Sequence, residues 1–76
     1  MIAGMPEFEV SPRGYDVNAV QDLVGRAESA LAGRDPAQRA QALAAIREAK
    51  IGVVLRGYDR AQVDQYLAQV TRELGG

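Results

Sequence analysis

The sequence predicts a mostly α-helical domain: three helices and two short extended segments arranged about an internal pseudo-twofold repeat. Three observations carry this expectation. Arg13-Gly14-Tyr15-Asp16 returns as Arg56-Gly57-Tyr58-Asp59, 43 positions later. The match extends beyond the tetrapeptide: Phe8 aligns with Ile51, Val10 with Val53, and Val20, Leu23, Val24, Ala27 and Leu31 with Val63, Tyr66, Leu67, Val70 and Leu74. A shared tetrapeptide can arise by chance, but apolar positions in register on both sides of it mark a repeated unit. Finally, each copy leads into apolar residues at helical spacing, the stripe of a helix with one buried face.

Taken in order, residues 1–7 read as a loose tail. Phe8-Glu9-Val10-Ser11 alternates apolar and polar, and Pro12 biases Ser11 away from helix, so residues 8–12 read as extended. Gly14 permits a bend. Asp16 is a helix N-cap whose carboxylate can accept the free N–H groups of the first turn. Tyr15 and Val20 then occupy the two positions of a hydrophobic staple. The stripe Val20, Leu23, Val24, Ala27 and Leu31 carries a first helix over about 16–32, and Gly33 closes it.

Asp35-Pro36-Ala37-Gln38 opens a second helix with a cap, a proline at the first helical position and a glutamine placed for a capping box. It runs over about 35–50 through Leu43 and Ile46. Its alanines favour helix and allow close approach of a neighbour. Ile51-Gly52-Val53-Val54-Leu55 is a short β-leaning run, read as the second extended segment, 51–55. Asp59 caps the third helix, about 59–73, with Gln62 in a capping box and Tyr58 stapled to Val63. Its stripe is Val63, Tyr66, Leu67, Val70 and Leu74. No low-complexity linker interrupts the chain, so residues 1–76 read as a single domain. Two units, 8–33 and 46–74, are joined by the helix that starts near residue 35.

The expected core is Val20, Leu23, Val24, Leu31, Leu43, Ile46, Val63, Tyr66, Leu67, Val70 and Leu74. At 76 residues the domain is near the size at which a core by itself sustains a fold, so self-association is an expectation from size alone. The chain has no cysteine and no histidine. That removes disulfides, thiol chemistry, the usual general base and the commonest metal ligand. Net charge is −1 with both signs interspersed, which argues against a nucleic-acid reader, since that task needs a basic stripe to neutralise phosphates. No apolar run approaches membrane-spanning length and no secretory pattern opens the chain, so it reads as cytoplasmic.

Most of the repeated motif is explained by folding. Gly14 and Gly57 bend, Tyr15 and Tyr58 staple, Asp16 and Asp59 cap. Folding does not account for Arg13 and Arg56, nor for Pro12 and Leu55 before them. These are the candidates for recognition. The carboxylates read as caps (Asp16, Asp35, Asp59) or as members of solvated helix faces (Glu28, Glu48, Asp64, Glu73). No pair is marked out for acid–base work, so the expectation is a protein that is not an enzyme and uses no cofactor or metal.

In these residues the chain resembles the DivIVA domain of bacterial cell-division and polar-growth proteins. An aromatic residue, an Arg-Gly-Tyr-Asp motif and an apolar helical stripe make the pattern. The run from Ile46 to Leu67 carries it nearly end to end, and Phe8 to Leu31 is the looser copy. The resemblance implies a cytoplasmic scaffold whose domain pairs two helices in parallel with loops crossing at the tip. It also implies membrane contact by an apolar residue followed by arginine, which is Leu55-Arg56 here. In the first unit proline stands in that apolar position, as Pro12-Arg13. The family's aspartate after the stripe valine is present as Asp64 and replaced by Gln21 in the first unit. The family's long coiled coil does not follow, so filament formation is not implied.

The function expected is a non-enzymatic adaptor that contacts protein partners: itself as a dimer, or another DivIVA-like protein. The alternative is weak peripheral binding to a membrane surface through the Leu55-Arg56 bend. Such binding needs an apolar wedge and several basic residues, at roughly 1 kcal/mol each. Here the residues for it are Leu55, Arg56, Arg60 and Arg13, with Asp16 and Asp59 beside them.

Overall fold

The computed structural model describes residues 7–75, so the expected tail lies outside it except for Glu7. The elements in chain order are β1 (Val10–Tyr15), α1 (Val17–Ala32), α2 (Pro36–Glu48), β2 (Val53–Tyr58) and α3 (Arg60–Leu74). Mostly helical architecture with three helices follows the sequence expectation. Each helix starts at its aspartate. Asp16 accepts the Asn18 N–H at 3.0 Å, Asp35 the Ala37 N–H at 2.9 Å, and Asp59 the Gln62 N–H at 3.0 Å. Caps of this kind are worth about 1 kcal/mol each. Gly33 ends α1 in extended backbone while its N–H donates to the Ser29 carbonyl, and Gly75 ends α3 in the left-handed region at φ 93°. α2 stops at Glu48, two residues short of expectation, because the chain turns extended at Ala49.

The core has two centres. Val20, Val24 and Val63 form one, with Phe8, Tyr15, Ile51, Tyr58, Tyr66 and Leu67 packed against it. Ala27, Ala30, Ala42, Val70 and Leu74 form the other, with Leu31, Leu43, Ile46 and Tyr66 around them. The first centre joins the start of α1 to the start of α3, and the second joins their later turns. The two helices therefore run side by side in the same direction, stripe to stripe. All eleven expected core residues are buried or pack against a buried cluster. Ala30 and Ala42 are also fully or nearly fully buried. Their short side chains let α2 close over α1 and α3, a role that their helix propensity alone does not reveal.

The strands need a correction. They span residues 10–15 and 53–58, not 8–12 and 51–55, and so they contain the Arg-Gly-Tyr motif instead of preceding it. Partner numbers fall along one strand as they rise along the other, from Val10 facing Tyr58 to Tyr15 facing Val53, which is the antiparallel sense. The Asp59 N–H donates to the Glu9 carbonyl at 2.7 Å and the Asp16 N–H to the Gly52 carbonyl at 2.9 Å, extending the ladder at both ends. Tyr15 also bridges Tyr58, a contact in the parallel sense. Both senses occur because the strands cross each other.

The crossing point is Gly14 against Gly57. Both are buried. A Cβ on Gly14 would stand 2.3 Å from the Gly57 carbonyl carbon, and one on Gly57 would stand 2.2 Å from the Tyr15 carbonyl oxygen. The glycines are therefore required by backbone-to-backbone contact, not by a bend. The left-handed residue in this region is Arg13, at φ 57°. Gly25, in the middle of α1, has nothing within 4 Å of its would-be Cβ. Gly57→Ala should therefore cost at least about 3 kcal/mol, the upper end of overpacking penalties. Gly25→Ala should gain about 0.5–1 kcal/mol, the ordinary helical benefit. Thermal melts of the two variants moving in opposite directions would establish the crossing, and equal melts would refute it.

Candidate functional site

The crossing brings the sequence-predicted recognition residues to one end of the molecule. Pro12 faces Arg56 in the ladder, and Arg13 and Leu55 are the next residues along it. Pro12, Arg13, Leu55 and Arg56 are all exposed. Leu55 is 85 % exposed, and Val10, Val53 and Val54 are 55 %, 50 % and 37 % exposed. Among the described residues these four are the large apolar side chains left in solvent, and all lie on β1 and β2. Single exposed apolar residues are ordinary; here four of them are grouped on one small sheet.

Tyr15 and Tyr58 behave differently from expectation. Both rings pack on the cluster of Val20, Val24 and Val63, as a staple requires. Their hydroxyls, however, cross to the opposite helix. The Tyr15 hydroxyl donates to an Asp64 carboxylate oxygen at 2.9 Å, and the Gln21 side-chain amide donates to the Tyr58 hydroxyl at 3.0 Å. Gln21 and Asp64 are themselves 43 positions apart, each following the stripe valine. Each tyrosine thus ties its own strand to the other unit's helix. Position in the repeat was the one signal in the sequence that could have paired them.

The capping box at Asp59 does not close. The Asp59 N–H goes to Glu9, and Gln62 is turned outward to hold the same residue. Its side-chain oxygen accepts the Glu9 N–H at 2.7 Å, and its amide donates to the Glu9 carboxylate at 3.0 Å. A strand edge arriving from the first unit outcompetes the local box, because it offers both a backbone donor and a carboxylate. Glu9 and Gln62 were not among the expected site residues.

These contacts set the electrostatics of the tip. Asp16 and Asp59 are occupied by helix N–H groups, Asp64 by Tyr15, and Glu9 by Gln62. Among the described residues the ion pair within 4 Å is Arg26 with Asp22, far along α1 from the tip. Among the described residues, Arg13, Arg56 and Arg60 have no carboxylate within 4 Å. The Tyr15 hydroxyl is pushed above its ordinary range, chiefly by donating to Asp64 and then by burial. No group of three His, Cys, Asp or Glu side chains among the described residues stands close enough to hold a metal ion.

Away from the tip, Tyr66 and Glu28 share a buried region between α1 and α3. The Tyr66 hydroxyl and one Glu28 carboxylate oxygen are buried there without a hydrogen-bond partner. Burial, and then the nearby Glu28 and Glu73 charges, push Tyr66 up to about 12. An open groove between α1 and α2, lined by Gln21, Asp22, Gly25, Arg26, Ser29 and Gln41, contains none of the tip residues.

Comparison with protein-family models, with curated proteins and with solved structures gives no significant match.

Two outcomes follow from the tyrosines. Tyr15→Phe and Tyr58→Phe should each lower stability by about 0.5–1.5 kcal/mol, with Tyr15→Phe the larger because its hydroxyl donates to a carboxylate where that of Tyr58 accepts from an amide. Chemical denaturation measures both, and no loss in either would remove the cross-bonding role. Tyr66 ionises with more difficulty in the folded state than in the unfolded chain, where its pKa is about 10. Its contribution is therefore intact below pH 10 and is lost as pH rises toward about 12. Tyr66→Phe should leave stability at pH 7 unchanged or raised, since it deletes an unpartnered buried hydroxyl, and should flatten the alkaline decline. An unchanged alkaline profile in the variant would contradict this assignment.

Proposed function

We propose that this chain is a non-enzymatic interaction module of DivIVA-like kind, an adaptor that presents its strand-crossing tip to a protein partner. The observation that carries the reading is the grouping of Arg13, Leu55 and Arg56 on one exposed edge, beside Val10, Val53 and Val54. The partner surface that fits has apolar side chains flanked by carboxylates. Arginine suits such a contact, because its planar fork pairs with a carboxylate in two places and its stem covers apolar surface. The Gly-Tyr-Asp residues of both copies build the crossing and hold the arginines at its edge. The resemblance to DivIVA domains supports a role in bacterial cell division or polar localisation, in the cytoplasm, with the chain itself or another DivIVA-like protein among the partners. We read the 43-residue spacing of strands, caps and cross-bonds as a duplicated unit that builds, within one chain, a pairing otherwise made by two.

A second reading has its own observation in Leu55, almost fully exposed beside Arg56, which has no ion-pair partner within 4 Å among the described residues. An apolar side chain next to basic ones is the arrangement that docks on an anionic membrane surface, although two or three arginines supply only about 1 kcal/mol each. No helix among the described residues is long and apolar enough to cross a membrane, so any such contact would be peripheral.

Arg13→Ala with Arg56→Ala should keep the melting temperature within about 2 °C, since both side chains are exposed, and should abolish capture of the native partner. Leu55→Asp should do the same. Retention of every wild-type partner by both variants would reduce the motif to a folding device. Sedimentation of the wild type with anionic but not neutral vesicles, lost in Leu55→Asp, would favour the membrane reading over the protein one.

A further inference from the structure

We propose that this chain exchanges its second unit, β2 with α3, with a second copy of itself at high local concentration, giving a closed dimer that carries two tips. The contacts that hold the crossing each join one unit to the other. Asp59 and Gln62 bind Glu9, Asp16 binds Gly52, Tyr15 binds Asp64, and Gln21 binds Tyr58. The covalent path between the units runs only from Gly33 to Gly52, through α2. Every one of these bonds forms equally well when the two units belong to different chains, which is the condition for exchange at little cost.

The joints suit it. Gly33 has φ −86° and ψ 174°, Asp35 has φ −83° and ψ 114°, and Ala49 has φ −64° and ψ 130°. The backbone is extended at Ala49, and residues 49–52 lie between α2 and β2, so the chain can open there while α2 stays on α1 with Ala42 beside Ala27 and Ala30, and the other chain's α3 closes over them.

The pairing also has a direction. Gln62 grips Glu9 through both its backbone N–H and its carboxylate. The positions 43 residues removed are Ala19 and Gly52, which have no side chains that can repeat the grip. A first unit therefore prefers a second unit to another first unit. Two chains that each offer one of both kinds satisfy that preference reciprocally and close as a dimer, with no unit left over. The single chain competes through the effective concentration of a short link, on the order of millimolar, so exchange takes over when chains are crowded to that level. A dimer with two tips would bind a partner-covered surface by avidity, which links the exchange to an adaptor role, although the exchange itself stands on the contacts alone.

The native chain has no cysteine, so a cysteine pair can report the exchange cleanly. Pro12→Cys with Arg56→Cys places two exposed thiols opposite each other across the ladder. The variant is refolded at about 10 µM and at about 1 mM, diluted, and oxidised. In the closed monomer the bond forms within one chain; in the exchanged dimer it joins two. We expect covalent dimer on a non-reducing gel to rise roughly in proportion to the chain concentration during refolding. Intrachain disulfide alone at both concentrations would overturn the proposal. A second experiment decides the matter if that variant does not fold. Gly14→Val disables the first unit of one chain and Gly57→Val the second unit of another, because each blocks the crossing. Refolded together, they rebuild one intact crossing from the undamaged halves, and a 1:1 heterodimer with regained helical signal is expected by native mass spectrometry and circular dichroism. A mixture that behaves as the sum of its two failed components would refute exchange.

Discussion

The backbone contact of Gly14 with Gly57 is the constraint on which the rest of the structure depends. Two strands can cross this closely only where neither carries a side chain. Once they cross, the remaining geometry is dictated. Each tyrosine, one residue beyond its glycine, is carried past the crossing and meets the other unit's helix. Each aspartate, one residue further, begins a helix on the far side. The arginine before each glycine is held at the exposed edge. The four residues of the motif are therefore consecutive in function as well as in sequence: edge, crossing, tie and cap.

The crossing also explains how so small a chain forms a core. α1 and α3 lie stripe to stripe because their starting points are fixed together, and Val20, Val24 and Val63 close the seam directly beneath. Further along, α2 is laid over the pair with Ala42 buried among Ala27, Ala30, Val70 and Leu74. α2 is the one helix without a counterpart 43 residues away, and it covers only one side of the pair. It touches them through Ala42, Leu43 and Ile46, while Gln41, Arg47 and Glu48 meet solvent. The 43-residue correspondence of the sequence also fails at Glu9 and Gln62, against Gly52 and Ala19. One flank of the crossing is gripped by side chains and the other by a single backbone bond.

The tip is chemically simple. Its carboxylates are spent on helix N–H groups, a tyrosine hydroxyl and a glutamine amide, so the groups left facing outward are guanidinium and aliphatic. Its apolar residues remain exposed because the strands consist of crossing segments too short to be covered by the helices that follow them. The region between Tyr66 and Glu28 is the reverse case, polar atoms enclosed by packing, where burial shifts the ionisation of the phenol without giving it a partner.

The sequence by itself determined the three helices, their aspartate caps and the stripes that face the core, and it left Arg13, Leu55 and Arg56 without a local folding task. These are local properties. A cap depends on the next three residues, a stripe on spacing within one helix, and a side chain without a structural task is noticed by elimination. Tertiary structure alone decided where the strands lie, why the glycines are there, and which partners the tyrosines and Gln62 choose. A bend and a backbone crossing both ask for glycine, so Gly14 and Gly57 read the same way until the other strand is in place. A capping box and a cross-chain grip both use glutamine, and the choice falls to Glu9 only because the first strand arrives beside α3. Ala30 and Ala42 became core residues for the same reason: what buries a small side chain is the approach of another helix, and that distance is fixed by the fold as a whole.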